Sequence, residues 1–324
     1  MERAGRIAAS LPFRVDLDEI VVGRARLADL TSNGRISANG SCRLLAARDG
    51  WVAVNLARRT DVDAVPAAVQ AAVDLGDPWP AIEAFARPRT AAEVADRFQL
   101  LDIPAAVLDD PAVDATAAVV LHRLGDSAEA TGSTVVDLSS MWAGPLCAHL
   151  LGRGGMRIVK VESLTRPDGA RFGDRRFYEW LHAGHELRQV DLRSETGRAE
   201  LRELAATADV VIESSRPRAL HHLGIDAAEV VAGRPGMVWV SITGYGRSGV
   251  AADRVAFGDD AAVAGGLVAR DDDGSPEFCA DAVADPMSGL AAAAAAYRSL
   301  GEGGGHLIEV AMAAVARSLA HGDT

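Results

Sequence analysis

Residues 135–163 read VVDLSSMWAGPLCAHLLGRGGMRIVKVES. The stretch VVDLSS has the unbroken apolar character of a strand covered on both faces. GPLCAHLLGRGG reads as a helix that stops on glycine, and RIVKVES as a second buried strand. A strand, a helix and a second strand in about thirty residues form a right-handed crossover on a parallel sheet. The alternation continues downstream: ETGRAELRELAATA (195–208) is helical, DVVIESS (209–215) a strand, AAEVVAGRPG (227–236) a short helix and MVWVSITGYG (237–246) a strand. Upstream, GSCRLLAARDG and WVAVNLA are short strand-like pieces, followed by helical patterns at VDAVPAAVQAAVDL and TAAEVADRFQLL. The fold class expected is α/β: a Rossmann-like parallel sheet domain with helices on both faces, plus a smaller α+β domain. Residues 1–108 are assigned to the small domain and 133–324 to the sheet domain. Residues 109–132, acidic and alanine-rich without an apolar face, are read as a linker.

Ligands on such sheets sit beyond the C-terminal strand ends, which here are residues 139–145, 162–166, 213–218 and 243–247. A dinucleotide site is disfavoured. The glycine cluster Gly152, Gly154 and Gly155 follows the first helix, whereas a phosphate-binding turn must precede it; the turn in that place, SSMWAGP, has one glycine. No P-loop or G-x-S-x-G elbow is present. His182 and His185 lack a third ligand and read as ordinary polar residues, His221-His222 as a helix end, and Asp271–Asp273 with Gly274 as a solvated hairpin tip.

The 324 residues are 49% hydrophobic, enough for a sizeable core, and carry a net charge of −12, which argues against nucleic-acid or anionic-membrane surfaces. Cys42, Cys147 and Cys279 have no metal-type spacing and are read as small buried hydrophobes of a reducing compartment. An early Glu2 and the absence of a long apolar core speak against a signal peptide, and no uncharged apolar stretch approaches ~20 residues. A cytoplasmic protein is expected, with no tightly bound cofactor and no metal.

Asp285-Pro286, ahead of the run SGLAAAAAAY, reads on its own as a helix start, with Asp as N-cap and Pro as first helical residue. In order along the chain, however, the segments 135–163, VDLRSETGRAELRELAATADVVIESSRPRALHHLG (190–224), MVWVSITGYGRSG (237–249), FGDDAAVAGGL (257–267) and VADPMSGLAAAAAAYRSLGEGGGHLIEVAMAAVA (283–316) resemble the class III CoA-transferase family, whose fold includes carnitine CoA-transferase and alpha-methylacyl-CoA racemase. Residues 41–108 are similar to that family's small domain, which there follows the sheet domain and here precedes it.

The resemblance implies transfer of CoA between an acyl-CoA thioester and an organic acid, with Asp285 as the nucleophile and CoA as substrate. It implies CoA contacts from Met141, Trp142, Ala143, Gly144, Pro145, Glu162, Arg166, Ser214, Ser215, Arg216 and Asp259. It also implies an interlocked homodimer or a heteromer with a related subunit. There are departures: the family's basic loop is His182-Ala183-Gly184-His185, its Asn-Phe pair is Ser214-Ser215, and an arginine is represented by His222. Arg166, Arg171, Arg175, Arg176, Arg216 and Arg218 are the candidate replacements. The racemase branch needs a histidine where Asp259 stands, which favours transfer over racemisation. The alternative is a non-catalytic CoA-binding or partner subunit.

Overall fold

A computed structural model of the chain describes residues 2–31, 33–128 and 134–321. Two helices come first, α1 (Glu2–Ala9) and α2 (Leu17–Leu27). A small region follows: β1 (Cys42–Ala46), β2 (Trp51–Asn55), α3 (Arg59–Val69), α4 (Trp79–Ala86), α5 (Ala91–Gln99) and β3 (Ala105–Val107). The remaining elements are β4 (Val119–Arg123), β5 (Thr134–Asp137), α6 (Ala143–Arg153), β6 (Arg157–Ser163), α7 (Arg175–Leu181), β7 (Glu186–Val190), α8 (Glu195–Thr207), β8 (Val210–Glu213), α9 (Pro217–His221), α10 (Ala227–Gly233), β9 (Val238–Thr243), α11 (Gly258–Ala264), the hairpin β10 (Ala269–Arg270) and β11 (Pro276–Glu277), α12 (Ala284–Gly301), β12 (His306–Ala311) and α13 (Met312–Ala320).

Seven strands form the main sheet in the order β4-β12-β9-β8-β5-β6-β7. All neighbours are parallel except β4, which runs antiparallel on the edge beside β12. Alternate residues divide the sheet into two cores. Val135, Ile158, Ile212 and Val240 face α1, α2, α6 and α12. Val136, Val159, Val211 and Trp239 face α8, α9 and α10. The expected α/β class with helices on both faces is therefore what the chain adopts. The central strands β8 and β9 are buried along their whole length, the reason they read as continuous apolar runs rather than alternating ones.

The small region is an antiparallel sheet, β1-β2-β3. One face carries α3, α4 and α5 on a core of Val52, Val54, Val65, Ile82, Val94 and Phe98. The opposite face, Cys42, Leu44 and Ala53, packs on Val263 of α11 and on Phe278. That second contact fixes α11, and with it the acidic residues at its start.

Several local expectations are corrected. The stretch 109–132 is not wholly a connection, because it contributes β4 to the main sheet; the boundary at 132/133 lies outside the described residues. Helix α3 ends at Gln70 in the left-handed region, short of the expected span. Cys42 and Cys147 are buried as expected, but Cys279 is exposed. Asp285 does not cap its helix: Val283 occupies the N-cap position without a side-chain bond, and Asp285 lies inside the first turn.

Candidate active site

The two helix N-termini that matter lie at the C-terminal edge of the sheet. α6 follows β5 directly, and α12 runs back to start the parallel strand β12, so both begin at that edge. They approach closely: a Cβ on Gly289 would meet the Ala143 carbonyl oxygen at 2.5 Å. Asp285 lies one helical turn before that crossing, on the same side of α12.

Asp285 is surrounded by other carboxylates. The Gly258 N–H, at the first residue of α11, donates to Asp285 Oδ2 at 3.1 Å. Oδ1 takes no hydrogen bond among the described residues, and the residue keeps partial exposure. A side chain at 258 would run into both Asp285 Oδ2 and the Ala282 carbonyl, so only glycine permits this approach. The turn that delivers Asp285 is strained: Ala282 has φ +43°, left-handed backbone that a residue with Cβ rarely adopts. Its N–H donates to Asp259 Oδ1 at 2.9 Å. Asp260 Oδ1 accepts from Phe257 N–H at 3.0 Å and from Asn55 Nδ2, at the end of β2, at 2.9 Å. Asp281 Oδ1 accepts from Arg24 of α2 at 2.7 Å. The second oxygens of Asp260 and Asp281 are buried without a partner.

The Arg24 guanidinium thus faces Asp259, Asp281 and Asp285, with Asp260 beside them. Burial first, then the charge of Asp259, push Asp285 up to about 8, against the pull of Arg24. Burial and the Asp281 charge push Asp259 up to about 7. Burial, against the bonds from Asn55 and Phe257, pushes Asp260 up to about 7. Asp281 is raised by burial in spite of Arg24. The group holds protons at neutral pH that separate carboxylates would have lost.

The turn after β5 is held from below by buried ions. Lys160 of β6 sits between Asp137 (3.3 Å) and Asp168 (3.1 Å) and donates to the Ser139 carbonyl. Asp168 Oδ1 accepts from the N–H groups of Met141 and Ala170, each at 2.9 Å. Met141 has φ +73°, so this turn too is in unusual backbone. Trp142, at the start of α6, is buried edge-on to Phe177 at 5.1 Å. The Arg24 guanidinium lies 5.5 Å from the Trp142 ring and 5.6 Å from Phe177. Arg24 therefore joins the turn to the carboxylate cluster.

Apart from Arg166, the expected CoA-contact residues, taken with the expected nucleophile Asp285, fall into three groups. Met141, Trp142, Ala143, Gly144 and Pro145 are contiguous at the start of α6, and Ser214 joins them, because its Oγ accepts from Ser140 N–H at 3.3 Å. Asp259 and Asp285 come together in the acidic cluster. Glu162, Ser215 and Arg216 have protein partners instead. Glu162 accepts from Arg171 (2.9 Å), Tyr178 (2.6 Å) and Asp168 N–H (3.1 Å); burial works against these bonds, yet they hold it down at about 2. Ser215 N–H donates to the buried Glu213 at 2.7 Å. Arg216 pairs with Asp102 of the small region at 2.8 Å.

Of the other candidate arginines, Arg171, Arg175 and Arg176 pair with Glu162, Glu179 and Asp174. Arg166 is exposed, and the side chain of Arg218 lies outside what the structure describes. His182 and His185 are in contact, Nδ1 to Nδ1 at 3.3 Å, and burial together with Lys160 lowers His182 to about 4.

Sequence reasoning did not single out Arg24, Asn55 or Asp281. Asp281 had a visible signal, a second aspartate four residues before Asp285. Asn55 and Arg24 are brought in by long-range packing alone.

Comparison with known proteins bears on the segment that carries most of the main sheet. The family model described as CoA-transferase family III matches residues 131–323. The chain is 28% identical over 191 residues to succinyl-CoA–D-citramalate CoA-transferase of Chloroflexus aurantiacus, covering 54% of this chain and 47% of that protein. It is 30% identical over 145 residues to the alpha subunit of succinyl-CoA–L-malate CoA-transferase of the same organism, covering 42% and 34%. A crystal structure of a CaiB/BaiF family protein from Brucella suis superposes with a TM-score of 0.53 at 27% identity, covering 60% of this chain and 58% of that one. The chain spans half or less of the length of these two enzymes. Among the described residues no helix is long and apolar enough to cross a membrane.

Proposed function

Because this chain belongs to CoA-transferase family III, we propose that it moves CoA from an acyl-CoA thioester to an organic acid through an aspartyl intermediate on Asp285. The observation that supports this is the Asp285 carboxylate itself. It is partly exposed at a helix N-terminus, one oxygen is fixed by the Gly258 N–H, the other is unengaged, and it has no capping duty. Oδ1 attacks the thioester carbonyl carbon; the C–S bond breaks and CoA leaves as thiolate, giving an acyl-aspartyl anhydride. The thiolate attacks the aspartyl carbonyl, and the donor acid leaves as carboxylate. The acceptor carboxylate then attacks the aspartyl-CoA thioester, and the released thiolate takes the new acyl group, returning Asp285. The helix N-terminus offers positive potential and amide donors where each oxyanion forms. Met141–Pro145 and Ser214 border the route by which CoA reaches Asp285. The substrates are organic-acid CoA thioesters of the cytoplasm, and the working unit is a homodimer or a heteromer with a related subunit.

A specific observation favours a second reading, a partner subunit without its own catalysis: Arg171, Arg175, Arg176 and Arg216 already hold carboxylates and leave few cations for CoA phosphates. One experiment separates the two. Wild type and Asp285→Asn are incubated with succinyl-CoA or acetyl-CoA and a panel of mono- and dicarboxylates, with mass spectrometry for a CoA adduct on Asp285. Transfer and adduct in wild type, both lost by several orders of magnitude in a folded Asn variant, are expected. Equal transfer by the two proteins refutes the nucleophile; no transfer and no adduct in wild type favours the partner subunit.

A further inference from the structure

Arg24 lies on α2, outside residues 131–323, and meets Asp281 across 257 residues of sequence. Its surroundings are unusual for an arginine in a helix that packs on a core. One nitrogen donates to the fully buried Asp281, whose other oxygen has no partner. The guanidinium is flanked by the Trp142 and Phe177 rings, which suit a flat cation and hold it in place. Asp285 is faced by Asp259 and Asp260 from α11, by Asp281 from the turn before its own helix, and by Arg24 from α2. Arg58 lies over the Phe257 ring at 5.6 Å but is paired with Asp61 at 2.6 Å. Three carboxylates therefore disfavour ionisation of Asp285, and Arg24 is the facing charge that opposes them.

We propose that Arg24 is a positioning residue of the transfer site: pinned between Asp281 and the Trp142 ring, its guanidinium supplies the positive charge that eases ionisation of Asp285 to the carboxylate able to attack. The proposal rests on Asp285 as nucleophile. An arginine suits the role because its planar guanidinium lies against the two rings while donating to Asp281. The charge acts on Asp285 through space, while the salt bridge to Asp281 and the two rings hold the guanidinium in place. Asp285 attacks only when ionised, so activity rises with pH through the ionisation of the cluster. Removing the facing positive charge moves that rise upward by about 1 pH unit.

The test is the pH profile of kcat/KM from pH 6 to 9.5 for wild type, Arg24→Gln and Arg24→Lys, with the CoA adduct on Asp285 followed by mass spectrometry over the same range. For Arg24→Gln the acid limb moves up by about 1 unit, so activity at pH 7 falls ~10-fold relative to its own plateau, and adduct formation follows the same limb. Arg24→Lys, which keeps the charge, restores most of the shift. Arg24→Met, whose stem keeps the packing on Trp142, gives the Gln result and serves if Gln does not fold. A uniform loss at every pH, or a limb that stays in place, means that Arg24 only holds α2 and overturns the proposal. If Asp285→Asn keeps full transfer, the nucleophile reading has failed instead. If Asn is inactive, the adduct maps to Asp285 and the limb stays, Arg24 alone has failed.

Discussion

Replacing Asp260 by Asn should make the protein more stable, and only above a defined pH. Asp260 is fully buried; its Oδ1 accepts two hydrogen bonds that an amide oxygen keeps, and its Oδ2 has no partner to lose. In the folded chain it is raised to about 7, against an ordinary aspartate value near ~3.9. A group raised in the folded state favours folding while it is neutral. That contribution is complete below the unfolded value and is lost as pH rises from ~4 to about 7. A gap of roughly three pH units corresponds to ~4 kcal/mol. Asp259 and Asp285 are raised in the same cluster, and neutralising one relieves the others, so about half, ~2 kcal/mol, is the figure to expect. The wild-type curve alone is a poor readout, because His182 and His185 are lowered to about 4 by burial. Their stabilisation as neutral rings is present above ~6.5 and lost as pH falls toward 4, the opposite trend. The difference between wild type and Asp260→Asn cancels both histidines. Urea titrations and thermal melts at pH 4.5, 6, 7 and 8 should show near-equal stability at pH 4.5 and an advantage of ~2 kcal/mol for Asn at pH 8. That is roughly 4 °C in Tm for a chain of this size. A constant difference across this range, or an Asn variant that is less stable at pH 8, refutes the buried acidic cluster.

Two further outcomes follow from the site geometry. Gly258→Ala places a methyl against Asp285 Oδ2 and the Ala282 carbonyl; circular dichroism should show a folded protein, while adduct formation on Asp285 falls at least ~100-fold, as expected when a reacting group is misplaced by about 1 Å. Arg216→Ala removes a partly exposed pair with Asp102 and should cost under ~1 kcal/mol by urea titration, with the KM for acyl-CoA unchanged. A tenfold rise in that KM would return Arg216 to the CoA-binding set.

The parallel sheet was legible because its strands are buried on both faces. VWVSIT and VVIE are buried at every position, so apolar runs between glycine-stopped helices left little choice of topology. β4 was not legible for the complementary reason. It is an edge strand paired on one side only, with no residue fully buried, and VVLHR within an acidic, alanine-rich stretch looks the same as a connection. The misplaced cap at Asp285 has a local cause. Asp-Pro is a sound start signal, but here the helix has already begun at Ala284, because the strained turn at Ala282 aims the Asp285 carboxylate at Gly258 instead of its own helix amides.

The acidic cluster shows what a linear reading loses in kind. Asp259, Asp260, Asp281 and Asp285 lie within 27 residues of one another, so their proximity could be suspected from the sequence. Their electrostatics could not, since the answer depends on which cation faces them. Several cations of the family-matching segment are already engaged: Arg171 on Glu162, Arg247 near Glu213 and Lys160 between Asp137 and Asp168. The cation comes from α2 and the amide that holds Asp260 comes from β2, both N-terminal to the segment that matches the family. A carboxylate cluster without them would hold its protons more tightly, and Asp285 would be a poorer nucleophile at neutral pH. The residues before the family-matching segment therefore do more than cover it: they include the cation that opposes the burial and the carboxylates raising the group on which the proposed chemistry depends.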